Sequence, residues 1–163
     1  MPTKSKGKTP TGKSKKAPRS ITKKSSPSQS PSEGARPRIG LEATIERVVP
    51  HEWTINAINP LLPSVLSTPA MIALMEHATV AAVRGALPPD TISVGTRIEV
   101  DHLKALPDGA TIQAHARLIG YQGRFLVFDV EARSGEHVIG RGRVFRAIVI
   151  PELHGAKAKA RIG

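Results

Sequence analysis

The sequence predicts an α+β domain in which an antiparallel sheet of about five strands wraps around one long central helix. Three observations carry that expectation. One breaker-poor segment rich in Ala, Met and Leu runs from Pro69 to Leu87. Alternating, β-branched segments flank it, one before and four after. The last four are separated by short breaks containing Gly or Pro, which predicts antiparallel hairpins between successive strands.

Residues 41–49 (LEATIERVV) alternate well enough for a first strand. Thr68 is placed to cap the helix, with Pro69 at the first helical position, where its missing N–H costs nothing. Pro88 and Pro89 stop it. Nineteen residues give roughly 28 Å of helix. Its only formal charges are Glu76 and Arg84, so most of its circumference is apolar and is expected to be covered. Residues 92–103, 110–119, 124–133 and 137–150 then alternate as strands, broken at Pro107-Asp108-Gly109, at 120–123 and at Ser134-Gly135. A first strand, a long apolar helix and a four-strand antiparallel meander make up the hot-dog fold.

The chain has 163 residues and a formal charge of +11, a value that suggests a nucleic-acid binder. The distribution of that charge says otherwise. Residues 1–38 carry eight Lys and three Arg against one acid, Glu33. Residues 155–163 add Lys157, Lys159 and Arg161. Between them, residues 39–154 hold ten basic and twelve acidic residues, a net −2. Residues 1–38 are dominated by Lys, Ser, Pro, Thr, Gly and Arg, with no aromatic residue, and cannot bury enough apolar surface to offset the entropy of ordering. They are expected to be a disordered tail, 155–163 a flexible basic end, and 39–154 the domain. The tail lacks the apolar h-region of a signal peptide and the apolar face of a transit peptide. Three readings of it stay open: weak, salt-sensitive contact with a polyanion, a solvated extension, or, ranked last, an import signal.

Zero Cys excludes a disulfide scaffold, a thiolate zinc site and a cysteine nucleophile, and fits a reducing, cytoplasmic setting. The longest apolar run, Leu61 to Met75, is cut by Pro63 and Pro69, so no membrane span is expected.

Glu76 is the sharpest anomaly, a carboxylate two turns into the most apolar segment. It must be paired, hydrogen-bonded or shifted in pKa, or lie on a narrow solvated or dimer-facing strip. Thr68 reads first as a cap, and second as a hydroxyl at a helix N-terminus, where developing negative charge is favoured. His102 shares a strand face with Ile98 and Val100 by period two, as a core histidine or an acid/base near the helix. His77 adjoins Glu76 but points about 100° away around the helix. His51, His115, His137 and His154 read as surface residues. No His spacing matches a metal motif, so no metal and no cofactor are expected. Gly95 within Val94-Gly95-Thr96 suggests a bulge or a close backbone approach, and Gly140-Arg141-Gly142 does the same in the last strand. No nucleotide-binding glycine fingerprint is present.

From about Val49 to Ile150 the chain resembles the fluoroacetyl-CoA thioesterase-like branch of the hot-dog thioesterases. The resemblance rests on Val49-Pro50-His51, on Thr68-x-x-Met71-x-x-Leu74-Met75-Glu76, on Val94-Gly95-Thr96, on the strand ending in His102, and on Arg141-Gly142-x-x-x-Arg146. It implies a catalytic set of Thr68, Glu76 and His102. It also implies a backbone contact from Gly95 to the thioester, support from Arg146, and a homodimer binding acyl-CoA near its interface. The fluoroacetate-specific enzyme carries Phe in the lid loop before the Thr. Here the matching stretch, 54–67 (TINAINPLLPSVLS), has no aromatic residue, which points to a plain short or medium acyl chain.

The expected activity is therefore hydrolysis of an acyl-CoA thioester. In that scheme Glu76 is base or nucleophile, Thr68 orients it or a water, and His102 assists the leaving thiolate. Lys104, Arg97 and Arg124 are candidates for the CoA phosphates. The alternative is a non-catalytic hot-dog module that binds acyl-CoA, with the basic tail contacting a polyanion. A hydratase on the same fold ranks below both.

Overall fold

The computed structural model describes residues 36–152. The expected basic tail, apart from residues 36–38, and the basic end at 155–163 lie outside them. The order is β1 (Glu42–Val48), a 3₁₀ turn at His51–Trp53, α1 (Thr68–Ala82), β2 (Ile92–His102), β3 (Thr111–Gln122), β4 (Phe125–Ser134) and β5 (His137–Val149).

The strands form one antiparallel sheet in the spatial order β1-β3-β4-β5-β2. Two of the expected hairpins form, β3–β4 and β4–β5. The expected β2–β3 hairpin does not. β2 pairs with β5 at one edge, and β3 pairs with β1 near the other. Three strand spacings separate β2 from β3, about 14 Å, and the residues from Leu103 to Ala110 reach about 26 Å when extended, so a short connection suffices to cross. It is anchored on the way: Leu106 is buried, its carbonyl accepts from the Leu66 amide at 2.7 Å, and the Leu103 amide donates to the Ile139 carbonyl at 2.8 Å.

α1 packs on the face formed by alternate residues of the sheet. Met71, Leu74, Met75, Ala78, Thr79 and Ala82 are buried, at spacings of three and four that mark one stripe. They meet Ile112, Ala114, Ala116 and Leu118 of β3 and Leu126, Phe128, Val130 and Ala132 of β4. Each large apolar side chain so enclosed stabilises the fold by about 1.5–3 kcal/mol. As expected, most of the helix circumference is covered, and beyond its first turn the exposed residues are a narrow strip of Ala73, His77 and Val80.

The helix is also shorter than expected, ending at Ala82, because the chain turns through Val83–Ala86 with Gly85 at φ +78°. At its start the cap is Ser67, not Thr68. Ser67 has extended backbone angles and its hydroxyl accepts from the Ala70 amide at 3.4 Å. Thr68 is thus the first helical residue and its hydroxyl is released from capping.

The loop 54–67 is closed at its base. The Ser67 amide donates to the Trp53 carbonyl at 2.8 Å, and the Ile55 amide to the Val65 carbonyl at 2.9 Å. Asn56 Nδ2 braces the interior by donating to the carbonyls of Pro60 and Leu62. Its tip is apolar and open to solvent, with Leu61 93% exposed.

Candidate active site

One end of α1 carries a threonine–histidine pair. Thr68 Oγ1 lies 2.9 Å from His102 Nδ1, and His102 Nε2 lies 3.1 Å from the Lys104 carbonyl. A carbonyl only accepts, so Nε2 bears the proton of the neutral ring. Nδ1 is then the acceptor, and the Thr68 hydroxyl donates to it. The pair is open to solvent at the helix N-terminus.

Two turns along, Glu76 lies at the margin of the buried stripe with its side chain 31% exposed. Its Oε1 accepts from Arg146 Nη1 at 3.3 Å. Arg146, on β5, is 6% exposed at its side chain, and burial lowers its pKa while Glu76 opposes that shift. Two further donors go to Ser93: Nε donates to Oγ at 3.0 Å and Nη2 to the carbonyl oxygen at 2.7 Å. Gly95 completes the group. A β-carbon there would collide with Glu76 Oε1, so the carboxylate fills the space that a side chain would take.

The anomaly of an acid in an apolar helix is thereby explained: Glu76 is paired and partly solvated. The same side of the sheet carries both groups because of a bulge. Gly95 pairs with Arg146 and Arg97 with Phe145, leaving Thr96 as the extra residue. Gly95 and His102 are seven positions apart and would face opposite sides of a regular strand. The extra residue restores the parity, and both turn toward α1.

The sequence-derived residues therefore gather as two sets. Thr68 joins His102, and Glu76 joins Gly95 and Arg146. No hydrogen bond links the sets within one chain, and eight residues of helix put them about 12 Å apart. Ser93 is a residue that sequence reasoning missed. Its only signal was its place two residues before Gly95, on the same strand face.

Of the three cations proposed for CoA phosphates, only Lys104 adjoins these residues, its Nζ 3.1 Å from His137 Nδ1. Arg97 lies on the other face of the sheet, paired with Glu99 and over the Phe145 ring. Arg124 stands in the β3–β4 turn over Phe125. Each is held there by an acid or an aromatic ring that the sequence did not reveal. Among the described residues no three His, Asp or Glu side chains gather as a metal site requires. No helix among them is long and apolar enough to cross a membrane.

Comparison with known proteins places this geometry in context. The family described as fluoroacetyl-CoA-specific thioesterase matches residues 49–152. The fluoroacetyl-CoA thioesterase of Streptantibioticus cattleyicolor is 35% identical over 130 residues, which span 76% of this chain and 94% of that protein. A solved structure of a fluoroacetyl-CoA thioesterase mutant in complex with fluoroacetate is 35% identical, with a TM-score of 0.69, covering 76% of this chain and 98% of that one. A hot-dog-like protein from Thermanaerovibrio acidaminovorans, 22% identical, aligns with a TM-score of 0.71 over 77% of this chain and 93% of its own, a likeness of fold alone.

Proposed function

Because the chain belongs to the fluoroacetyl-CoA-specific thioesterase family, we propose that it hydrolyses a short- or medium-chain acyl-CoA to the free acid and CoA. The observation that carries this reading is the Glu76 carboxylate, held by Arg146 against the bare backbone of Gly95 and still open to solvent. Glu76 acts as general base. It takes a proton from water as the water oxygen bonds to the thioester carbonyl carbon. The Gly95 amide and the N-terminus of α1 stabilise the charge that develops on the carbonyl oxygen. The C–S bond then breaks, and the proton that Glu76 took from the water passes to the CoA thiolate, relayed by the Thr68–His102 pair. The acid product leaves with the water oxygen. The lid at 54–67, with Ile58, Leu61 and Leu62 and no aromatic ring, favours plain aliphatic acyl groups over a fluorinated one.

The working unit in this reading is a homodimer. β2 is an edge strand, and Ile98 on it and Val80 on α1 are 41% and 38% exposed. Antiparallel pairing of two β2 edges centred near Ile98 and Glu99 sets Gly95 opposite His102 of the partner subunit. That register joins the two half-sites that one chain keeps apart.

A panel of acetyl- to octanoyl-CoA with detection of released thiol tests the function. Turnover by the wild-type protein is expected, with a fall of about 10²–10⁴-fold in Glu76→Gln. Acyl-CoA binding without thiol release would instead favour a binding module.

A further inference from the structure

We propose that Ser93 is a positioning residue for the reaction, acting through Arg146 on the carboxylate of Glu76. The inference rests on the reading of Glu76 as the base. Arg146 is inserted from β5 toward α1 as an almost fully buried side chain on a stem with several rotatable bonds, so its plane must be set by whatever receives its donors. Ser93 receives two of them, one at the hydroxyl (3.0 Å) and one at the carbonyl oxygen (2.7 Å). These contacts engage Nε and Nη2, and leave Nη1 as the donor that meets Glu76 Oε1 at 3.3 Å. Two fixed points on a planar guanidinium determine where its third corner lies.

The strand explains why this arrangement is available. Gly95 is the cross-strand partner of Arg146, and Ser93 lies two residues earlier on the same face. Position 93 thus anchors the guanidinium while position 95 leaves room for the carboxylate it holds. Among the described residues Arg146 is the charged group within hydrogen-bond reach of Glu76. Of the other polar residues in that helix stretch, His77 is exposed and Thr79 directs its hydroxyl to the Glu76 backbone carbonyl at 2.6 Å. The orientation of the carboxylate therefore depends on Arg146, and that of Arg146 on Ser93.

The test compares Ser93→Ala, Ser93→Thr, Glu76→Gln and the double variant Ser93→Ala/Glu76→Gln in the acyl-CoA assay. Ser93→Ala removes the hydroxyl acceptor and keeps the backbone one. It is expected to lower kcat roughly tenfold with KM within about twofold, the signature of a group that acts on the reacting atoms without holding the substrate. Ser93→Thr restores the acceptor and is expected to recover most of kcat. In the Glu76→Gln background, Ser93→Ala should cost no further activity. Unchanged kcat in Ser93→Ala, beside a large loss in Glu76→Gln, overturns the role of Ser93 and leaves Glu76 standing. Additive losses in the double variant, or failure of Thr to rescue, overturn it as well. Full turnover in Glu76→Gln sinks the reading of the base itself. If Ser93→Ala does not fold, Ser93→Cys, with a weaker acceptor of similar shape, must show the same kcat loss or the proposal falls.

Discussion

A β-carbon at position 95 would stand inside contact distance of Glu76 Oε1 and 3.4 Å from Glu76 Cδ. Those atoms end a side chain that can swing away, so Gly95→Ala is expected to fold and to misplace the carboxylate. Activity should fall about 10²-fold, with a Tm within a few degrees of wild type. Gly140 provides the contrast. A β-carbon there would meet Met71 Sδ at 2.6 Å and the Asp101 carbonyl at 2.8 Å, and backbone cannot yield. Gly140→Ala should therefore cost about 1–3 kcal/mol in stability, read as a clear drop in Tm. Equal behaviour of the two variants in both assays would remove the distinction. Gly95, Glu76 and His102 could be singled out in the sequence because each breaks a local pattern: a glycine in a strand, an acid in an apolar helix, a histidine on an inward face. Ser93 breaks none. Serine is unremarkable near a strand start, and its role comes from Arg146, 53 residues away. Thr68 was half legible. Its place at the helix start could be read, but Ser67 one residue earlier could cap as well, and which of the two does so is a matter of backbone angles.

At the scale of elements, the strands and the helix follow from their periodicities, while their neighbours do not. Residues 92–102 alternate in the same way whether β2 pairs with β3 or with β5. Choosing between them required the buried Leu106 in the connection and the bulge at Thr96. The bulge was foreshadowed by Gly95, yet its consequence, Gly95 and His102 on one face, depends on pairing that composition does not encode. The same strand carries the proposed dimer. Glu76→Gln and His102→Ala are each expected to be nearly inactive. A site built from both subunits predicts that mixing and reassembling the two variants restores activity: half the dimers become mixed, and one of the two sites in each is intact, giving about a quarter of wild-type turnover. Sites contained within single chains would give no recovery. Ile98→Lys on the exposed edge should weaken pairing and shift the particle toward monomer in light scattering, with activity falling in parallel.

At the scale of the whole molecule, the charge of +11 separates into a strongly basic N-terminal stretch, a basic C-terminal end and a domain of net −2. The structure adds a physical landmark to that division. The Arg36 guanidinium lies 5.2 Å from the centre of the Tyr121 ring, and the Tyr121 hydroxyl donates to the Pro37 carbonyl. Burial raises the pKa of that hydroxyl, against the opposing charge of Arg36. The folded state thus favours the protonated, donating form. Its contribution is complete below the unfolded value near 10 and is lost as pH rises through the raised value. Residues 36–38 were read from composition as tail, since Arg and Pro carry no signal for docking onto a tyrosine presented by β3. Two truncations separate the parts. A chain starting at residue 36 keeps the Tyr121 contacts. It should hydrolyse acyl-CoA within about twofold of the full chain, and it should lose the salt-sensitive retention on a polyanion such as heparin that the nine cations of residues 1–35 would confer. A chain starting at Ile39 forfeits the hydrogen bond and the cation–π contact and should melt several degrees lower, an expected cost of about 1–2 kcal/mol. If the chain from residue 36 loses its turnover, the basic segment belongs to the catalytic unit, and the division of charge drawn from the sequence does not follow function.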